Sequence, residues 1–270
     1  MQTGDPLEVF RPDIPSSARM YDYFLGGKDN YPSDREAGER AIAMMPPGTV
    51  QGAARQNRKF LGRAVRYLVE EAGIRQFLDI GTGMPTMGPV HEVAQGLVPE
   101  IRVVYVDHDP VVIAHAVDML QANDLTAILK HDLREPDAIL GDKELTSLLD
   151  LSKPVAVLLV AILHFVEDAS DPRGIVTRLM DAVPPGSYLA ISHATTDNHP
   201  GWAQVTGVYS KATSTLCNRT RDEVAALFEG YDLVDPGIVM LHDWHPDLGT
   251  TEVDTNGGSI CWCGVARKPG

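Results

Sequence analysis

From Gln76 onward the chain alternates short apolar runs with amphipathic stretches. Phe77, Leu78 and Ile80 form a run that stops at Gly81 and Gly83, and residues 103–106 form a second that stops at Asp107. A third run begins near Thr126, a fourth covers 155–161 and a fifth 187–192. Runs without polar alternation are the pattern of strands buried on both faces of a parallel sheet. Between them, helices are predicted from Gly88, from Pro110, across 135–149 and from Asp171. This alternation predicts right-handed crossovers and an α/β architecture. Thr220 with Glu223 is a capping-box pattern opening a further helix, which leads to a strand at 232–239. A last strand covers 259–267, and the absence of a helix before it predicts a hairpin that closes the sheet.

The first part of the chain has a different pattern. Pro6, Pro12 and Pro15 predict an irregular arm. Ser33 with Glu36 suggests a capping box opening a helix through about Met44, which Pro46, Pro47 and Gly48 break. A longer helix over 51–71 presents Ala53, Ala54, Phe60, Leu61, Ala64, Val65, Leu68 and Val69 on one stripe and ends at Gly73. We therefore expect an arm and helical lid over residues 1–72 and an α/β domain over 73–270. The segment 16–72 is too long for a mere cap. It is expected to fold over the cleft and line an acceptor pocket.

A chain of 270 residues can bury the core of one large α/β domain with a modest addition. Its formal charge of −14 argues against nucleic acid as a partner, because duplex binding relies on neutralising phosphates. No apolar stretch approaches the length of a membrane span, and the first residues lack a signal-peptide pattern. Three cysteines make no disulfide framework. The cytoplasm is the expected compartment.

Candidate chemistry gathers at the strand ends. Gly81 and Gly83 can take backbone angles closed to other residues and admit a ligand close to the main chain. An acid at the tip of the second strand, Asp107, is the usual partner of ribose hydroxyls. Together they predict a nucleoside-containing cofactor. The dinucleotide fingerprint G-x-G-x-x-G fails, since Thr86 stands at its third glycine. Asp79 would repel a pyrophosphate but suits a ligand with an ammonium or sulfonium group. S-adenosylmethionine carries both and is favoured over NAD. Asp132, ending the third strand, could accept from an adenine amino group beside Leu133. The fourth run delivers His164 to the cleft, where it could take a proton from an acceptor or simply line the adenosine site.

With these segments in place, the chain resembles a class I S-adenosylmethionine-dependent methyltransferase. More narrowly it is similar to an actinobacterial family of largely unassigned substrate. The narrower likeness rests on YDYFLGGKDN within residues 18–30, on His91 to Gln95, and on Leu163-His164-Phe165-Val166, and it spans nearly the whole chain. Pro85 departs from the general pattern, which often has a third glycine there. The resemblance implies a Rossmann-like, seven-stranded, mostly parallel sheet with helices on both faces and an N-terminal helical extension. It also implies methyl transfer to a small or medium-sized acceptor. On this reading Asp79, Gly81, Gly83, Asp107, His108, Asp132, Leu133 and Ala161 hold the cofactor, with Tyr21 and Lys28 joining from the N-terminal segment. His164 is the candidate catalytic residue, and no metal is expected. Two alternatives stay open: a non-catalytic sensor or interaction protein that binds the same cofactor, and an NAD-dependent oxidoreductase.

Other features admit plainer readings. Gly26-Gly27-Lys28 is no phosphate loop, because Asp29 replaces the required Ser or Thr; it could meet the cofactor's carboxylate or be a structural turn. Tyr21 and Tyr23 could be a packing pair and Arg19 a surface ion partner. His193 and Asp197 could face the cleft. His242, Asp243, His245 and Asp247 have the look of a metal cluster without its spacing, so Trp244 reads as a pocket wall or packing anchor. Cys261 and Cys263 share a strand face and are expected to pack.

Overall fold

The computed structural model describes residues 10–85, 88–120, 122–210, 212–248 and 260–270. Pro6, Thr86 and Ser259 therefore lie outside the described residues. The N-terminal region forms α1 (Ser17–Leu25), α2 (Pro32–Ala43) and α3 (Thr49–Glu70). The alternating region follows as β1 (Gln76–Ile80), α4 (Val90–Leu97), β2 (Arg102–Asp107), α5 (Pro110–Leu120) and β3 (Thr126–Lys130). Next come α6 (Pro136–Leu140), α7 (Lys143–Leu148), β4 (Ala156–Val160), α8 (Pro172–Asp181) and β5 (Tyr188–Ala194). The chain closes with α9 (Thr206–Tyr209), α10 (Arg221–Ala226), β6 (Asp232–Leu233), β7 (Val239–Met240) and β8 (Cys261–Arg267).

The strands form one sheet in the order β3-β2-β1-β4-β5-β8-β6, with β7 also on β8. The first five are parallel, and β8 runs antiparallel between β5 and the short edge strands. The strand expected at 232–239 is two pairs of residues instead, since Pro236 and Gly237 interrupt it. Among the described residues this makes eight strands where seven were expected, with β6 and β7 sharing one edge of β8. The helix expected across 135–149 is likewise split, at Gly141. Thr220 and Glu223 form the expected capping box.

The strands β1, β2, β4 and β5 bury both faces, so successive residues enter different cores, while the edge strand β3 buries one face fully and the other in part. Phe77 and Val103 belong to one cluster, Leu78 and Val104 to the other. The first cluster also takes Met20, Phe60, Ala64 and Leu68 from the N-terminal helices. All eight apolar positions expected on the long helix are buried. Thus the N-terminal segment shares one core with the sheet and covers one of its faces.

Two N-terminal expectations are corrected. Ser33 does not cap α2; its hydroxyl donates to Pro12 O at 2.6 Å. The helix opens on Tyr31 and Pro32, and Asp34 accepts from Tyr31 N at 2.8 Å. Arg19 is not a surface partner but is 2% exposed. Its guanidinium pairs with Asp34 at 2.8 Å and reaches Asp109 at 3.7 Å. It also donates to the carbonyls of Phe10, Arg11 and Ile14, which pins the proline arm in place.

The YDYFLGGKDN stretch is explained by a buried carboxylate. Asp22 accepts from Asp29 N at 3.0 Å and from Asn30 Nδ2 at 2.8 Å, folding the turn back on α1. A Cβ on Gly27 would lie 2.0 Å from Asp22 Oδ1. Gly27→Ala should therefore displace that carboxylate and lower stability by about 1–3 kcal/mol. Gly62, inside α3 with open space at its Cβ position, gives the opposite sign: Gly62→Ala should stabilise by about 0.5–1 kcal/mol. Urea unfolding of both variants checks the pair.

Candidate functional site

A cleft of about 1140 Å³, partly open to solvent, lies where the parallel strands end beneath α1 and α3. Asp79, Gly81, Gly83 and Asp107 line it from the tips of β1 and β2. A second cavity adjoins it on the β3 side, lined by His131, Asp132, Leu133 and Arg134. Gly81, Asp107, His108, Ile162 and Phe165 border both, so the two form one trench across the sheet edge.

The glycines serve different ends. Gly81 has φ 75°, and a Cβ there would lie 2.3 Å from Ile162 Cγ1; a protein side chain, not a ligand, fills that space. Gly83 has φ 64° with open space around it, and its N–H donates to Asp107 Oδ2 at 2.9 Å. Asp107 Oδ1 accepts from Asp109 N at 2.9 Å. The strand-two acid is thus fixed by two backbone donors and keeps lone pairs for a ligand. His108 stands half-exposed beside it, 3.9 Å from Oδ1.

Asp79 is buried, and loss of hydration pushes its carboxyl up to about 6 against the opposing influence of Arg58 and of a hydrogen bond to Thr82. Arg58 reaches the cleft from α3, with its guanidinium 5.7 Å from the centre of the Tyr21 ring. One of its terminal nitrogens donates to Met84 O at 3.2 Å, while the buried Nε has no hydrogen-bond partner among the described residues. A buried carboxyl short of a cation beside a guanidinium short of an acceptor complements an amino-acid head group.

After β4 the chain turns through Ala161, at φ 57°, into a single 3₁₀ turn, Leu163–Phe165. Arg219 holds that turn, donating to Leu163 O at 3.1 Å and Val166 O at 2.9 Å. His164 Nδ1 accepts from Ala194 N at 3.2 Å, and burial holds its pKa well below the usual range. The neutral ring therefore carries its proton on Nε2. This corrects the proton-accepting role expected of His164, because its free lone pair is already used. It can donate a hydrogen bond into the cleft instead.

The model of a family described as S-adenosyl methyltransferase matches residues 7–269. The chain belongs to the S-adenosyl methyltransferase family. Among solved structures it is similar to a DUF574 family protein from Streptomyces avermitilis, at 44% identity and TM-score 0.91, over 96% of this chain and 100% of that one. A Thermobifida fusca protein provisionally named a methyltransferase is 35% identical, with TM-score 0.89 and 100% of both chains covered. The mitomycin 7-O-methyltransferase MmcR shares the fold at 17% identity and TM-score 0.52, over 98% of this chain and 74% of its own. No curated protein matches. This S-adenosyl methyltransferase is thus an enzyme whose cofactor is S-adenosylmethionine, and the NAD reading falls away.

The remaining expected residues divide. Ala161 lines the main cleft and Asp132 and Leu133 the adjoining cavity, where Arg134 grips Asp132 and lowers its pKa. Tyr21 also lines the cleft, but its hydroxyl donates to Ala54 O at 3.0 Å and accepts from Asn57 Nδ2 at 2.9 Å. Lys28 is exposed and lines neither cavity, because the Asp22 carboxylate folds its turn away from the trench. His193 is fully buried against Arg219 at 2.7 Å and also lines neither cavity. Asp197 accepts from Trp262 Nε1 at 2.8 Å, away from both. Trp244 is a packing anchor, edge-on to Phe60 and Tyr67. No group of metal-ligating side chains occurs among the described residues. Cys263 packs as expected, whereas Cys261 lines the cleft.

Asn57 and Arg58 were missed by sequence reasoning. Their signal is a polar pair standing between Ala54 and Leu61 on the apolar stripe of α3. Asn57 Oδ1 accepts from Ser192 Oγ at 2.6 Å, and Ser192 Oγ accepts from Ala161 N at 2.9 Å. A chain of hydrogen bonds thus joins the cleft floor to Tyr21 in its roof. Asn57→Leu should strand buried groups at both ends and cost about 1–3 kcal/mol in urea unfolding, with a further loss of cofactor affinity by calorimetry.

Proposed function

We propose that this S-adenosyl methyltransferase acts on a small or medium-sized acceptor held beneath α1 and α3, in the cytoplasm. The observation that carries this reading is one continuous cleft running from the acidic strand tips to an apolar roof of N-terminal helices. Asp79 would meet the methionine ammonium and Arg58 its carboxylate. Asp107 would take the ribose hydroxyls with His108 alongside, Asp132 and Leu133 would flank the adenine, and Ala161 would form the floor beneath the reacting centre. S-adenosylmethionine supplies an electrophilic methyl carbon and a neutral thioether leaving group, so the protein's share is alignment and exclusion of water. Residues 1–72 would serve as a lid for this purpose, since the helices already close one side. The charge of −14 speaks against nucleic acid as acceptor, and no described helix is long and apolar enough to cross a membrane.

Calorimetric titration with S-adenosylhomocysteine tests the assignment. Asp107→Ala should weaken binding by about 10–100-fold through loss of charge-assisted hydrogen bonds. Undiminished affinity would remove Asp107 from the site.

Asp79 makes a second, signed test. Its folded-state pKa of about 6 lies above the ordinary carboxyl value of 3.8, so folding favours the protonated carboxyl. That contribution is present at low pH and fades as pH rises from about 4 to 6. Asp79→Asn should gain stability relative to the wild type across this window, by about 3 kcal/mol at most, and level off above it. Wild-type affinity for S-adenosylhomocysteine should rise across the same window, as the ionised carboxylate becomes available to the ammonium. The variant should bind weakly and without that slope.

A further inference from the structure

Away from the strand tips the cleft changes character, and this inference about its acceptor rests on the function proposed above. The walls there include Phe24 and Leu61 from the roof, Phe165 after β4, and Trp202, Tyr209 and Leu216. The acids of the cleft, Asp79, Asp107 and Asp109, all stand at the ends of β1 and β2. A cationic acceptor would shed its hydration in this chamber without a counter-charge. A flat apolar one gains by burial and by ring contacts.

Two side chains on the chamber wall, His164 and Tyr209, have a proton to donate. Titratable side chains on its walls are Tyr21, Arg58, His164, Tyr209 and Cys261. Tyr21's hydroxyl proton is already given to Ala54 O. Burial raises the pKa of Tyr209 and pushes the Cys261 thiol up to about 12, so both stay protonated. His164 offers Nε2–H, its Nδ1 being occupied by Ala194 N. The Tyr209 hydroxyl makes no hydrogen bond among the described residues, and its ring stands 5.7 Å from that of Phe165, which lies 4.5 Å from His164. These two donors suit a negatively charged oxygen, and neither of them can receive a proton.

We propose that the acceptor is a flat hydroxyaromatic molecule bound as its oxyanion, with its ring against Phe165 and Tyr209 and its oxygen on His164 Nε2–H and the Tyr209 hydroxyl. Its phenolic proton leaves to solvent before binding. The oxyanion's electron pair then forms the O–CH₃ bond as the CH₃–S bond breaks and its pair returns to sulfur. One negative and one positive charge cancel, so no base is required in the site.

4-Nitrophenol is a suitable probe because its absorbance reports ionisation. On wild-type enzyme saturated with S-adenosylhomocysteine, its apparent pKa should fall by at least about one unit, a tenfold preference for the anion. 4-Nitroaniline, of the same shape but neutral, should bind at least tenfold more weakly. Tyr209→Phe should reduce the anion preference severalfold while retaining the ring. Equal binding of 4-nitroaniline, an unshifted or raised pKa, or no binding of 4-nitrophenol would each overturn the proposal. Failure of the wild type to bind S-adenosylhomocysteine would instead strike the cofactor-site reading on which it rests.

Discussion

Burying a guanidinium costs several kcal/mol unless ion pairs and hydrogen bonds replace its water, and Arg19 sets the terms for the rest of this structure. Its partners come from separate parts of the chain: Asp34 from α2, Asp109 from beyond the tip of β2, and three carbonyls of the arm. Ser16 Oγ adds a bond of 2.5 Å to Asp109. Satisfying this one cation therefore requires the N-terminal helices to sit over the carboxyl ends of the strands. The linkage continues inward, since Asp109 N fixes Asp107 and Asp107 fixes Gly83. Roof, strand tip and glycine loop are held as one unit, and the cleft is what remains between them.

Much of this was legible because period and position carry the information. Short, mainly apolar runs marked the five parallel strands, and the stripe on α3 identified the face that meets the sheet. Asp79, Gly83 and Asp107 could be placed from chain order alone, as strand ends in such sheets share one edge. The role of Lys28 was not legible. Its neighbourhood looked like a ligand loop, but the deciding fact is a contact between Asp22 and the space above Gly27. Arg19 was misjudged for the same kind of reason, since its burial depends on acids 15 and 90 residues further along. His164 was found while its direction of hydrogen bonding was not, because that depends on which nitrogen Ala194 N approaches.

The site divides its labour by charge. Acids cluster at the strand ends, and apolar rings line the side away from them. Between the two stands the 3₁₀ turn after β4, held through its carbonyls by Arg219. The boundary of the two regions is thus set by backbone rather than by mobile side chains, which favours alignment over adaptability.

The position of β8 bears on how the chain reaches this state. It pairs with β5 over seven residue pairs and also carries β6 and β7, yet it is the last strand described. During synthesis the β5 edge stays open until residues 261–267 have emerged, with its ladder of donors and acceptors unmet and β6 and β7 lacking their partner. A ribosome that stalls before this point releases a chain with most of its sheet formed and one adhesive border. Only a chain that extends through β8 can cover that border.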